Sequence, residues 1–389
     1  MSLFDKFDAA LQLKEGLADI GKDPTDVVFD SLISATEGIV KGRRTILAGT
    51  NNYLGLTFDK DCIAAGVAAL ESQGTGTTGS RMANGSYAAH GALEAELADF
   101  FQCDHAMVFS TGFTANLGVL TALLGKGDVV LLDADAHASL YDGCQMSGAD
   151  IFRFKHNDVK SLERRLERLK DRASRCLIVV EGMYSVLGDC APLAEFVELK
   201  ERFGARLLVD EAHSVGVYGE HGCGVAELQG VLDKVDFIVG TFSKSLGAMG
   251  GFCASRHDVL GLFRYISRPF MFTASPSPAV MATTREALRQ LRTRPELRQT
   301  LWENASRLYN GLQELGFELG PEISPVVAVR CKDRQSALAN WNKLLEAGIY
   351  VNMMLPPATP GGASFLRCSI SAAHTPNQIT KIIKTFAEL

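Results

Sequence analysis

Lys244 lies in the segment GTFSKSLGAMGG, residues 240–251, where a run of β-branched residues ends and glycines begin. A lysine between two serines at such a place could be a solvated loop charge, a phosphate clamp or a covalent anchor. Three other stretches supply reactive side chains in similar surroundings. VVLLDADAH leads to His137, LLVDEAHS supplies Asp210 and His213, and FSTGFTANL supplies Gly112 and Phe113 at an expected helix start. Thr241 and Ser243 add hydroxyls beside Lys244.

Each piece alone has an ordinary explanation: a surface lysine, a hydrogen-bonded histidine, an aspartate bonding local amides. Together they form the set that pyridoxal 5'-phosphate requires. That cofactor takes a lysine for a Schiff base and a carboxylate against its pyridine nitrogen. Its phosphate takes hydroxyls and the free N–H groups of a helix N-terminus. The carboxylate keeps the ring nitrogen protonated, so the ring accepts the electrons left when a bond to the substrate α-carbon breaks. VDEAH also spells a nucleotide-hydrolysing DEAH-type box, which is the alternative from a different class. It requires the P-loop G-x-x-x-x-G-K-[ST] upstream. GTGTTGSR lacks the lysine and GTFSKS lacks the second glycine.

The elements that must position these residues are legible as alternating strands and helices, a pattern favouring a mainly parallel sheet covered by helices. HAMVFS (105–110), DVVLLD (128–133), CLIVVEG (176–182), ARLLVDEA (205–212) and DFIVGT (236–241) read as buried strands. DVKSLERRLERLKDRA and PLAEFVELKERFG read as helices between them, the second closed by Gly204. Ligands of such sheets collect at the carboxyl ends of the strands, where the polar residues named above fall. After FTASPSPAV the alternation breaks. A long helical tract, 281–316, then leads to a smaller C-terminal α/β domain with SPVVAVRC and FLRCSIS among its strands.

With 389 residues the chain is expected to hold about two domains. It is 47% hydrophobic and 22% charged, ordinary for a globular protein with a sizeable core. A net charge of −6 argues against nucleic acid as a partner, because phosphate neutralisation needs a basic footprint. The nine cysteines lack C-x-x-C or Cys/His ligand spacing, which indicates reduced thiols in a cytoplasmic protein and no metal site. The N-terminal stretch carries acids early, unlike a signal or transit peptide. The most apolar window, AMVFSTGFTANLGVLTALLG, is interrupted by polar residues and is a poor membrane span; peripheral contact with a membrane stays open.

DADAHASLYDG, EGMYSVLGDCAPL, LLVDEAHSVGVYGEHGCGV, GTFSKSLGAMGG and FTAS resemble the α-oxoamine synthase family of pyridoxal-phosphate enzymes, from about residue 45 to the C-terminus. The resemblance implies an α/β fold of fold-type I, with a mainly parallel seven-stranded-type sheet in a large domain and a smaller C-terminal α/β domain. The expected divisions are an N-terminal helical segment and arm (1–45), a large cofactor-binding domain (46–280) and a small domain (281–389). Family members condense an amino acid with an acyl thioester and lose CO₂. GTNNYLGLTFD, GTGTTGSRMANG, YVNMMLPPATP and LRCSISAAHT are most similar to bacterial members that use L-serine and a long-chain acyl thioester to make 3-ketodihydrosphingosine for sphingolipids. Other members of the family, including aminooxononanoate synthase and those using glycine or alanine, remain the near alternatives.

By this resemblance Lys244 is the Schiff-base lysine and also the general base and acid, Asp210 pairs with the pyridinium, and His137 stacks on the ring. These three are the expected catalytic residues. His213 would hydrogen-bond the ring oxygen. Thr241, Ser243 and the amides of Gly112 and Phe113 would hold the phosphate, and Thr273 would reach that of a neighbouring subunit, implying a homodimer with shared sites. Glu181 and Ser185 would border the cofactor. Arg367, in SFLRCSIS, matches the arginine that grips the substrate carboxylate, a task suited to a planar guanidinium. Asn52 and Ser80 match positions near the amino-acid site. One position departs from the pattern. Leu355 stands where the similar members carry an arginine before PPATP, so the carboxylate would fall to Arg367 alone. The acyl donor is coenzyme A or an acyl carrier protein; Lys41, Arg43 and Arg44 of KGRRT could meet the phosphates of one or the acidic surface of the other.

Overall fold

The five apolar runs expected as buried strands form the body of a seven-stranded sheet in the computed structural model, which describes residues 3–18 and 24–389. Across the sheet the order is Asp150–Phe154, Val129–Asp133, Cys176–Glu181, Arg206–Asp210, Phe237–Thr241, Gly251–Ser255 and His105–Phe109. The first five pair in parallel, and Gly251–Ser255 runs antiparallel to both of its neighbours. Val129–Asp133, Cys176–Glu181 and Phe237–Thr241 are buried at every residue, as a parallel sheet covered on both faces demands. The strands Asp150–Phe154 and Gly251–Ser255 were not expected from the sequence. The first is an edge strand with mostly exposed side chains, and the second is five residues opening on glycine.

The covering helices begin where a side chain can satisfy their first amides. Thr111 Oγ1 accepts from Thr114 N–H (3.0 Å) at the head of Gly112–Leu123, and Asp158 accepts from Ser161 N–H (2.8 Å) at the head of Val159–Leu169. Gly204, at φ 69°, closes Leu193–Phe203 as expected. The tract 281–316 is two helices, Pro278–Thr293 and Glu296–Glu314. Pro295 offers no N–H and drives Arg294 out of the helical region, to φ −125° and ψ 66°.

The chain divides into two compact units. The larger holds Asn52–Ser185 and Asp189–Gln299, and with them the seven-stranded sheet. The smaller holds the described residues up to Asn51, Val186–Gly188 and Thr300–Leu389. Residues up to Asn51 thus group with the C-terminal residues, and Pro278–Thr293 with the larger unit. Of the expected N-terminal helical segment, Asp8–Ala18 is helix, while residues 1–2 and 19–23 lie outside the described residues. The smaller unit contains an antiparallel sheet, Val326–Cys331, Ser364–Ser369 and Asn352–Met354, and a second sheet built on Glu37–Val40 and Arg43–Leu47. Trp341, 1% exposed, centres its core and donates its indole N–H to Val351 O at 2.9 Å. Among the described residues no helix is long and apolar enough to cross a membrane.

One close approach matters to the site. A Cβ on Gly251 would lie 2.5 Å from Thr111 O and 2.6 Å from Gly112 Cα, so only glycine lets the helix Gly112–Leu123 begin against this strand. Gly251→Ala is therefore expected to destabilise the fold by about 1–3 kcal/mol through overpacking, read as a lower midpoint in chemical unfolding.

Candidate active site

A cavity of about 290 Å³ opens at the carboxyl ends of the parallel strands, within the larger unit. Nine of the residues singled out in the sequence line it: Gly112, Phe113, His137, Glu181, Asp210, His213, Thr241, Ser243 and Lys244. A larger depression of about 610 Å³ runs along the helix Pro278–Thr293. Its Arg285 pairs with Glu96 and its Arg289 with Glu286, so its charges are spent on one another.

Parallel register explains the meeting of the acids. Glu181 and Asp210 are the last residues of adjacent strands and stand opposite each other. Asp210, 5% exposed, accepts hydrogen bonds from Asn116 Nδ2 at 2.8 Å and from Ala212 N–H at 2.9 Å. Asn116 Nδ2 also donates to Ser139 Oγ at 2.9 Å, and Ser139 Oγ lies 2.7 Å from His137 Nδ1. Burial lowers the pKa of His137; the Asp210 charge opposes that shift and Lys244 adds to it. His137 N–H donates to Glu181 Oε1 at 2.6 Å. Burial, and next the Asp210 charge, push the Glu181 carboxyl well above the usual carboxylate range, although Lys244 and the His137 amide pull the other way. His213 Nδ1 lies 2.8 Å from the hydroxyl of Tyr53, which is fully buried.

At the other side of the cavity Thr241 Oγ1 donates to Gly250 O at 2.9 Å and receives Ser243 Oγ at 2.8 Å. Gly112 and Phe113 open their helix, where the first N–H groups have no partner within the helix itself. The donor set at this end is therefore two hydroxyls and two first-turn amides, the chemistry of an oxyanion or phosphate cradle.

The remaining expected residues lie outside this lining. Asn52 is buried and donates Nδ2 to Thr57 Oγ1 at 2.7 Å, while its Oδ1 has no hydrogen-bond partner. Ser80 O accepts from Gly85 N–H at 2.8 Å and Ala83 N–H at 3.1 Å, a turn-forming role. Thr273 follows the short helix Arg268–Met271 and is half-buried. Ser185 closes the first segment of the larger unit and is half-buried. Arg367 belongs to the smaller unit, where it is 3% exposed and sets both Nη atoms 3.2 Å from Asn51 Oδ1. Leu355 packs against that unit's apolar core.

Sequence reasoning missed Asn116, Ser139 and Tyr53. Asn116 sits one turn into a helix whose start was recognised, and Ser139 two residues after His137, so their spacing from recognised residues was the available signal. Tyr53 carried none.

A site of this composition on a doubly covered parallel sheet defines a class, and comparison with known proteins agrees. The chain belongs to the aminotransferase class I and II family, which residues 44–386 match. It is 56% identical over 389 residues to the serine palmitoyltransferase of Caulobacter vibrioides, spanning all of this chain and 96% of that one. With the serine palmitoyltransferase of Sphingomonas paucimobilis it shares 50% identity, over 99% of this chain and 92% of the relative. The solved Sphingomonas wittichii serine palmitoyltransferase superposes with a TM-score of 0.96 at 49% identity, covering 100% of this chain and 98% of that one. A structure of SPT with its PLP internal aldimine gives 0.97 at the same identity and coverage.

Behind Glu181, His156 bridges two further acids: Nδ1 lies 2.9 Å from Asp133 Oδ1 and Nε2 2.8 Å from Asp189 Oδ2. Burial opposes its charge, but these hydrogen bonds and the two carboxylates outweigh burial and raise its pKa to about 10. A raised folded pKa gives stability that is complete below the unfolded value of about 6.5 and is lost as pH rises through about 10. His156→Asn is expected to be less stable than the parent at pH 6–7, with the gap closing toward pH 10; urea unfolding across that range reads it.

Proposed function

We propose that this chain condenses L-serine with a long-chain acyl thioester, with loss of CO₂, to give 3-ketodihydrosphingosine, the first step of sphingolipid synthesis. The observation that carries this reading is the 56% identity to a serine palmitoyltransferase along the whole of both chains. An 8-amino-7-oxononanoate synthase, of Pelobacter propionicus, stands at 40% over 343 residues.

The site fits pyridoxal phosphate. A lysine and a buried carboxylate line one cavity with hydroxyls and helix-terminal amides, and a Cβ on Gly112 would come within 2.9 Å of Thr241 Cβ, in the cradle that the phosphate needs. When bound, the cofactor supplies an electron sink for the bonds broken at the substrate α-carbon. Lys244 Nζ would anchor it and, as a free amine, would take the α-proton of serine and later return one. The Asp210 carboxylate, its direction set by Asn116 and Ala212, would pair with the ring nitrogen. His137 would cover a ring face, and His213, steadied by Tyr53, would meet the ring oxygen. Thr241, Ser243 and the Gly112 and Phe113 amides would hold the phosphate. Glu181 and Ser185 border the cofactor, Asn52 and Ser80 the amino acid, and Arg367 takes the serine carboxylate.

The reading includes a cytoplasmic homodimer in which Thr273 reaches the phosphate of the neighbouring subunit. The surface beside Thr273 supports it, since Tyr265, Ile266 and Phe272 are 75%, 54% and 65% exposed, an apolar concentration typical of association surfaces. The acyl donor is a thioester of coenzyme A or of an acyl carrier protein.

The test mixes pure chain with pyridoxal phosphate and titrates amino acids while the absorbance spectrum is followed. Serine is expected to perturb it in preference to glycine or alanine, and palmitoyl thioester then to yield 3-ketodihydrosphingosine by mass spectrometry. A preference for glycine or alanine would replace this reading with that of another family member. Lys244→Ala is expected to lower turnover by on the order of a thousandfold or more. With no arginine at position 355, Arg367→Ala should raise KM for serine by about thirtyfold or more, the loss of a charge-assisted carboxylate contact.

A further inference from the structure

We propose that Asn116 and Ser139 are positioning residues of this reaction: one amide nitrogen and one hydroxyl fix the Asp210 carboxylate and hold His137 with its ring proton on Nε2. The role in turnover rests on the functions assigned above to His137 and Asp210; the hydrogen-bond lock itself does not.

The argument begins at Asp210. Its Oδ2 lies 2.8 Å from Asn116 Nδ2, and a carboxylate accepts only, so the amide must present nitrogen and not oxygen. That nitrogen has a second proton, and Ser139 Oγ lies 2.9 Å away to accept it. Ser139 Oγ, now an acceptor from Asn116, has its own proton left for His137 Nδ1 at 2.7 Å. Ser139 N–H donates to the same Nδ1 at 3.2 Å. A proton on Nδ1 would confront that amide hydrogen and deprive the hydroxyl of its acceptor. The single ring proton therefore sits on Nε2. Orientation passes in one direction, from carboxylate to amide to hydroxyl to imidazole.

The surroundings disfavour a second proton on the ring. The charged groups facing His137 are Asp210, Lys244 and Asp142, with Glu181 accepting its backbone N–H. Burial is the largest influence and disfavours the cation; Asp210 and Asp142 favour it, and Lys244 disfavours it. A neutral imidazole would also avoid repelling the protonated ring nitrogen of the cofactor proposed above. A ring with hydrogen on Nε2 also offers one donor to the cavity, and the other tautomer would offer an acceptor in its place.

The network is kept at a cost. Asn116 is 4% exposed, and its Oδ1 is buried with no hydrogen-bond partner. Apolar residues of similar volume would fill the same space without an orphaned oxygen. Three separate elements, the helix Gly112–Leu123, the cap of Ala138–Ser147 and the end of Arg206–Asp210, contribute to it, and Asn116, Ser139, His137 and Asp210 all line the cavity.

Histidine-directed ¹⁵N NMR of the cofactor-free chain tests the lock without reference to catalysis. In the parent, His137 is expected to show an unprotonated Nδ1 and a protonated Nε2 at pH 7. Ser139→Ala keeps the residue-139 N–H but loses the hydroxyl donor, so it is expected to admit a fraction of the Nδ1-protonated ring, and Ser139→Thr to restore the single form. In the loaded enzyme Ser139→Ala should lower kcat by about tenfold, with KM for serine within about twofold, and Ser139→Thr should recover most of the rate. A protonated Nδ1 in the parent overturns the proposal, whatever the variants do. Unchanged nitrogen shifts in Ser139→Ala, or altered shifts with unchanged kcat, overturn it as well. A chain that shows the lock but condenses no serine would support the lock and overturn the assigned function.

Discussion

Three neighbouring parallel strands end in carboxylic acids, Asp133, Glu181 and Asp210, at one buried edge of the sheet. Strands in a sheet lie about 4.8 Å apart, and register sets Glu181 directly against Asp210. Three bare charges could not share that edge, because a buried charge without compensation is severely unfavourable. Each acid is settled differently. Asp133 meets the His156 cation at 2.9 Å. Glu181, between the other two, is driven toward its protonated form by burial and by the Asp210 charge. Asp210 is held by two N–H donors. The outcome is one oriented carboxylate beside Lys244 where three acids meet, and the proposed pairing with a ring nitrogen depends on that outcome.

The same economy operates across the cavity. Thr241 and Ser243 bond to one another, and Thr241 gives its proton to Gly250 O, so both hydroxyls are satisfied without an anion. Hydroxyl rotors can redirect those protons toward a phosphate without any backbone movement. The amides of Gly112 and Phe113 cannot rotate, and their aim is fixed by how closely the helix begins against Gly251. One half of the cradle thus adapts and the other is preorganised by packing, which restricts the place where an anion can settle.

Legibility from sequence followed the range of the interactions involved. The five expected strands were plain because burial writes them as unbroken apolar runs, and Lys244, Asp210 and His213 fell beside such runs. Asp150–Phe154 was hidden by its exposure pattern, and Gly251–Ser255 because its antiparallel pairing with His105–Phe109 joins residues far apart in the chain. The helical tract read as one because periodicity persists across Pro295, whose effect on Arg294 is local. Asn116 and Tyr53 escaped notice for a related reason: each acts through a partner, Asp210 or His213, 94 or 160 residues away. For Asn116 the local signal was only its place one turn into a recognised helix, and the pairings themselves exist only in the closed sheet.

In the proposed function the serine carboxylate would fall to Arg367, because Leu355 offers it no charge. Leu355 buries part of its surface against the core that holds Trp341 and Leu366, so a leucine there contributes packing and no charge. Arg367 is fixed from its own strand, Ser364–Ser369, and both of its Nη atoms lie 3.2 Å from Asn51 Oδ1. The amide oxygen of Asn51 orients the guanidinium plane. Asn51 is therefore suited to hold the arginine ready for an anionic ligand. With leucine at 355, the proposed recognition of the carboxylate would rest on the direction of that one guanidinium plane.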